Sequence, residues 1–208
     1  MPWQCFMVRE TGWSLYSLRR FRWGMYHEDG EACPTVPGKY SIHNASVDIG
    51  YGPTLRGEPD KDGYRWLASP PVEAWRPDSR WPTRCVCGYE FRPQDEWQVN
   101  LDPYYIADDG RQWPMKQLPI GAMLDAWWMK RMSKFIGSDG LSLQVKLPPG
   151  GPHEWWNIDG PSRGDGPGWT RTGTPPLISV TPSIATGSYH GFLGSSTAPG
   201  PGWLSDPL

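Results

Sequence analysis

Leu141-Ser142-Leu143-Gln144-Val145-Lys146-Leu147 decides the fold class of this chain. Apolar and polar residues alternate there without a break. A period of two places Leu141, Leu143, Val145 and Leu147 on one face of a β-strand and the polar residues on the other. Pro148-Pro149-Gly150-Gly151 then turns the chain, and residues 153–158 return as an antiparallel partner. Further toward the C-terminus, residues 177–180 and 189–193 read as short strands. Residues 159–176 form a Gly/Pro-rich loop, and a Pro/Gly tail over 194–208 has Trp203 as its anchor. Toward the N-terminus, residues 96–99 and 104–106 read as strands flanking turns. Asp108-Asp109-Gly110 is a hairpin signal, because glycine supplies the positive φ. Residues 40–49 form a strand holding His43, and residues 1–26 form one or two strands with an exposed basic side. One stretch predicts a helix: residues 121–132 hold good helix formers, with Leu124, Trp127, Trp128 and Met132 on one face.

Composition agrees with a small β core and long loops. The 208 residues include 25 Gly and 24 Pro, about twice the average share of each. Leu, Ile, Val and Phe together number 35, few enough to suggest disorder. The net charge of only −2 removes the other half of that signature, and 14 Trp and 9 Tyr restore the missing apolar area. Collagen is excluded because the glycines have no period of three, and a helical bundle because proline is never absent for long. The expected fold is α+β, mostly antiparallel β with one short helix, loop-rich around a Trp-rich core. It is read as a single domain over 1–208. A division into a zinc-supported part (1–136) and a small β module with its tail (137–208) remains open.

Four Cys (5, 33, 85, 87) and four His (27, 43, 153, 190) carry the chemistry. Cys85-Val86-Cys87-Gly88-Tyr89 is written like a zinc knuckle, in which a tight turn aims backbone amides at the sulfurs and glycine clears the space. A closed structural site needs four ligands. Cys33 and His43 are the natural second pair, with Cys5 as a substitute ligand and His27 a more distant one. The competing readings are buried unligated thiols or a Cys33–Cys85 disulfide. The latter needs an oxidising compartment, and the N-terminus shows no signal peptide. No phosphate-cradling loop, Gly-x-Ser-x-Gly or His-Glu-x-x-His motif is present. Indoles also stack on sugar rings, but so few aliphatic residues require the tryptophans for the core.

Several segments carry a resemblance. They include Leu-Arg-Arg-Phe-Arg-Trp (18–23), Ile-His-Asn-Ala-Ser (42–46) and Trp-Pro-Thr-Arg-Cys-Val-Cys-Gly-Tyr-Glu-Phe (81–91). Others are Asp-Glu-Trp-Gln-Val (95–99), Gly-Ala-Met-Leu-Asp-Ala-Trp-Trp-Met (121–129), Trp-Asn-Ile-Asp-Gly (156–160) and Gly-Thr-Pro-Pro-Leu-Ile-Ser-Val (173–180). In these the chain resembles a family of proteins encoded by actinobacterial phages and prophages. Pro-Ser-Ile (182–184) and Tyr-His-Gly-Phe-Leu (189–193) resemble a small β module common in phage proteins. Members of the wider group often place two residues between the knuckle cysteines; here only Val86 stands there. The resemblance implies phage origin and a compact zinc-supported fold, and no particular activity.

The function expected is therefore a non-enzymatic, zinc-stabilised interaction or virion-associated protein. Its partners would be phage or host proteins, its place the host cytoplasm or the virion, with no membrane segment. The alternative is a host-acting metal-dependent hydrolase or nucleic-acid-processing protein in which His43, Cys85, Cys87 and a carboxylate such as Glu96 form an open site. A third reading is a nucleic-acid accessory protein using Arg19, Arg20 and Arg22.

Overall fold

The computed structural model describes residues 1–23, 33, 42–160, 169–195 and 199–208. They fall into two compact units, one made of Met1–Thr11 with Tyr104–Leu208, the other Gly12–Pro103. Twelve strands are described: β1 (Trp3–Gln4), β2 (Phe6–Trp23), β3 (Ile42–Pro53), β4 (Glu96–Ala107), β5 (Gln112–Pro114), β6 (Ala122–Asp125), β7 (Leu143–Lys146), β8 (Trp155–Asn157), β9 (Thr170–Thr174), β10 (Leu177–Ala185), β11 (His190–Leu193) and β12 (Trp203–Leu204). Among the described residues there is no α-helix, only short 3-10 turns. None of their helices is long and apolar enough to cross a membrane.

The unit containing both termini is the more conventional. One of its sheets runs β1-β12-β11-β10-β9. In the other layer, β6 lies parallel to the start of β2, with Phe6 opposite Ala122, and continues antiparallel to β7 and then β8. Their facing residues make one core, including Met123, Leu143, Val145, Ile158, Ile178, Ile184, Tyr189 and Leu193. Each aliphatic side chain so buried contributes about 1.5–3 kcal/mol. The 108–110 hairpin forms as expected. Gly110 has φ +86° and donates to the Ala107 carbonyl, and Tyr105 pairs with Trp113.

Three expectations are corrected here. The helix over 121–132 is instead strand β6 followed by a 3-10 turn at Trp127–Met129. Ala122, Met123 and Leu124 are each buried to 1% or less between flanking strands, so sheet burial overrides helix propensity. Gly121 seals the outcome: its φ is +87°, and a Cβ there would stand 2.5 Å from the Gln4 carbonyl oxygen. The strand expected over 141–147 spans only Leu143–Lys146, and its polar residues Gln144 and Lys146 are buried as well. Gln144 donates to Asn157 Oδ1 at 2.6 Å. Lys146 donates Nζ to the Gly151 carbonyl, with its ammonium over the Trp155 ring, and burial pushes its pKa down. The 148–151 turn thus covers the face that alternation alone would leave in water. Finally, residues 96–99 and 104–106 belong to one strand, β4, which runs through Pro103.

An ion network, buried at Arg171 and Asp159 and open to water at Asp139, ties the 137–141 turn to β9. Arg171 donates Nε to Asp159 at 2.8 Å, and both Nη atoms to Asp139 at 2.7 and 2.8 Å. Arg171's hydrogen bonds hold the Asp139 carboxyl at about 2, with the Leu141 amide adding to the effect and burial opposing it. A carboxylate depressed in this way adds stability above its unfolded pKa, near 3.8, that is lost as pH falls toward 2. The Asp139 side chain is 38% exposed, so water screens the pair and its worth is on the order of 1 kcal/mol. Asp139→Asn should lower the urea-unfolding free energy by about that amount at pH 7. At pH 2, where the unfolded carboxyl is protonated and the folded one about half so, most of that difference should be gone.

The Gly12–Pro103 unit is built on β2 and β3, paired antiparallel from Trp13↔Pro53 to Trp23↔Ile42. Beyond β3, residues 54–84 are irregular apart from a 3-10 turn at Val72–Trp75, and they are pinned by indoles. Trp81 is 5% exposed, donates Nε1 to the Trp75 carbonyl and meets Trp97 edge-on at 4.7 Å. These rings pack with Tyr16, Leu18 and Val99.

Candidate metal centre

Cys85 and Cys87 sit on a hairpin with a three-residue turn. Cys85 N–H donates to the Tyr89 carbonyl and Gly88 N–H to the Cys85 carbonyl, both at 2.9 Å. Arg84 pairs with Glu90 to close the ladder. Gly88 has φ +93°, a left-handed conformation that side-chain-bearing residues adopt only at a cost. This turn explains the Cys-x-Cys-Gly spelling: Cys85 is the last residue before it, Cys87 is its second residue, and Gly88 closes it.

His43 reaches the same place because of an irregularity in β3. The register is Tyr16↔Gly50 and then Ser17↔Asp48, so Ile49 is an extra residue, next to Gly50 with φ +123°. A bulge of this kind reverses which residues face inward. Gly52 is inward on one side of it; Val47, Ala45 and His43 are inward on the other. Without the extra residue His43 would lie on the opposite face of the strand, away from the cysteines.

Cys33, His43, Cys85 and Cys87 place their ligand atoms within 4.8 Å of one another, close enough to hold one metal ion. Cys33 and Cys85 Sγ are 3.8 Å apart, and Cys87 Sγ is 3.2 Å from His43 Nδ1. A disulfide needs about 2.05 Å, so the sulfurs are not bonded. Cys33, His43 and Cys85 are buried, and Cys87 is partly so. The Tyr89 amide draws the Cys87 pKa down, but burial and the Cys85 and Cys33 sulfurs outweigh it, and the net direction is up. Three adjacent sulfurs resist ionising together unless a cation compensates them.

The surroundings fix the imidazole. Tyr89 stacks on His43 with ring centres 4.1 Å apart and an 11° interplanar angle. Its hydroxyl accepts from Arg22 Nη1 at 3.0 Å and donates to Asp95 Oδ2 at 3.2 Å, and Asp95 also accepts the Arg92 amide. Phe91 packs edge-on against Tyr89. Arg20 lies buried with its guanidinium 3.9 Å from the Trp97 ring centre, donating to the Arg92 carbonyl. Partners beyond the ligands commonly orient a metal-binding histidine.

The four residues singled out in the sequence come together. Cys5 does not join them: it is 2% exposed in the core of the other unit, and desolvation pushes its thiol up to about 12. His27 lies outside the described residues. Glu96 is exposed at the start of β4, and Glu90 is ion-paired with Arg84. Arg19, Arg20 and Arg22 do not form one exposed basic row, because Arg20 is buried. Sequence reasoning missed Tyr89 as the ring supporting His43, although the residue stands inside the motif; nothing in its spacing marks a stacking role.

No protein-family model, curated protein or solved structure matches this chain.

The chain purified under reducing conditions should hold about one equivalent of divalent metal by elemental analysis. Cys85→Ser should release it and lower the melting temperature, while Cys5→Ser should retain it. Metal in neither the parent chain nor Cys5→Ser would contradict the assignment.

Proposed function

We propose that this is a phage-encoded, non-enzymatic interaction protein of the virion, whose Gly12–Pro103 unit is folded around a structural zinc ion. The carrying observation is the complete ligand set: three cysteines and one histidine, all from the chain, converging in a largely buried pocket. Thiolate and imidazole are the donors zinc favours, and four protein ligands leave no position for an activated water. The spacing supports zinc as well. Zn–S bonds of about 2.3 Å in a tetrahedron set sulfur–sulfur edges at about 3.8 Å. The Cys33–Cys85 separation matches that edge. The sulfur–nitrogen edge expected on the same basis is about 3.5 Å, a few tenths longer than the Cys87–His43 distance.

A hydrolase reading needs a three-ligand metal, a bound water and a nearby base. The carboxylate named for that role, Glu96, is exposed at the start of β4, and Glu90, which follows the knuckle, is paired with Arg84. The interaction reading rests further on the resemblance to phage proteins and on the irregular 54–84 stretch, pinned by Trp75 and Trp81, since surface segments of this kind commonly carry contacts. Mass spectrometry of purified virions, from the phage whose genome carries this coding sequence, should find the protein in the particles. Its absence from them, together with its presence in infected cells, would overturn the virion role.

A further inference from the structure

In the Met1–Thr11 and Tyr104–Leu208 unit, a cavity of about 380 Å³ opens beside the Arg171 ion pairs. Lys134, Gly137, Ser138, Asp159, Trp169 and Arg171 are among the residues lining it. Its size lies at the small end of the range for ligand sites, roughly 300–1,000 Å³. We propose that this cavity binds a neutral pyranose sugar.

Two of its walls are rigid before any ligand arrives. The Arg171 side chain is 7% exposed and held by Asp139 and Asp159. Asp159 is fixed in turn by the Leu143 amide, which donates to its Oδ2 at 3.0 Å. Trp169 donates Nε1 to the Ser183 carbonyl and meets Trp156 edge-on at 4.8 Å. The 137 backbone lies directly against the ion pairs. A Cβ there would stand 2.2 Å from Arg171 Nη2 and 2.8 Å from Asp159 Oδ1, so a larger residue would have to push the ion-paired groups aside. Preorganised groups of this kind lower the cost of binding.

The chemistry of the lining selects the ligand. Asp159 is an acceptor, Lys134 a donor, and the Ser138 hydroxyl is both. Hydroxyls on adjacent sugar carbons match such a mixture, since each can donate and accept. The indole of Trp169 suits the C–H face of a pyranose ring, an apolar surface on an otherwise polar molecule. Charge excludes the main rival. Asp159 lines the cavity and Asp139 pairs with Arg171 behind it, so the Lys134 and Arg171 charges are balanced and a phosphate or nucleotide meets no net positive field.

Saturation-transfer NMR on the metal-loaded full chain tests this, using glucose, galactose, mannose, rhamnose and N-acetylglucosamine as probes. Transfer to the ring C–H protons of at least one sugar is expected, with Kd on the order of 1 mM, as suits a small open site. Trp169→Ala should weaken binding by about tenfold or more. Trp169 also packs against the core, so its variant is read only if its melting curve stays native. Lys134→Ala and Ser138→Ala remove exposed side chains, and each should weaken binding about threefold with the fold intact. Transfer to none of the five sugars would overturn the proposal. So would undiminished transfer in all the folded variants, or displacement of the sugar by inorganic phosphate.

Discussion

Convergence of three sulfurs and one imidazole nitrogen within 4.8 Å is the constraint on which the Gly12–Pro103 unit depends. The ligands come from points far apart in the chain: one at Cys33, one on β3, two on the 85–87 hairpin. The apolar cluster around them is small, with Cys33, Cys85 and Phe91 as its buried members. Bringing such distant segments together costs loop entropy that so few apolar contacts do not offset well. A bound metal ion converts its binding free energy into folding free energy, which is how small loop-rich structures commonly hold.

The backbone around the centre is arranged for that convergence. The extra residue at Ile49 turns His43 inward, and the positive φ of Gly88 closes the turn that carries both hairpin cysteines. Tyr89 joins the two, following the knuckle in sequence and stacking on the β3 histidine in space. Its hydroxyl network through Arg22 and Asp95 holds that ring, so the imidazole faces the sulfurs in one orientation. The other unit has no such requirement. It has a continuous core of aliphatic residues and Tyr189 from two sheets, and its cysteine is simply one more buried apolar side chain.

The β class of the fold was legible because alternation survives in Leu141–Leu147 and because Gly and Pro punctuate the strands. The ligand set was legible because Cys-x-Cys-Gly has a local physical cause. What sequence could not show was tertiary. Residues 122–125 have helix-forming side chains, and only the strands on either side make them a strand. Lys146 looks like a solvent-facing residue until the turn that follows covers it. The bulge at Ile49, which decides where His43 points, leaves no mark beyond one glycine among many. The sugar-site residues are each ordinary; Gly137 matters only because Arg171 and Asp159 arrive beside it.

X-ray absorption at the zinc edge of the purified chain tests the central claim most directly. Three sulfur neighbours at about 2.3 Å and one nitrogen at about 2.0–2.1 Å, with no further oxygen, is the result expected of a closed structural site. A shell containing a water oxygen, or fewer than three sulfurs, would contradict it.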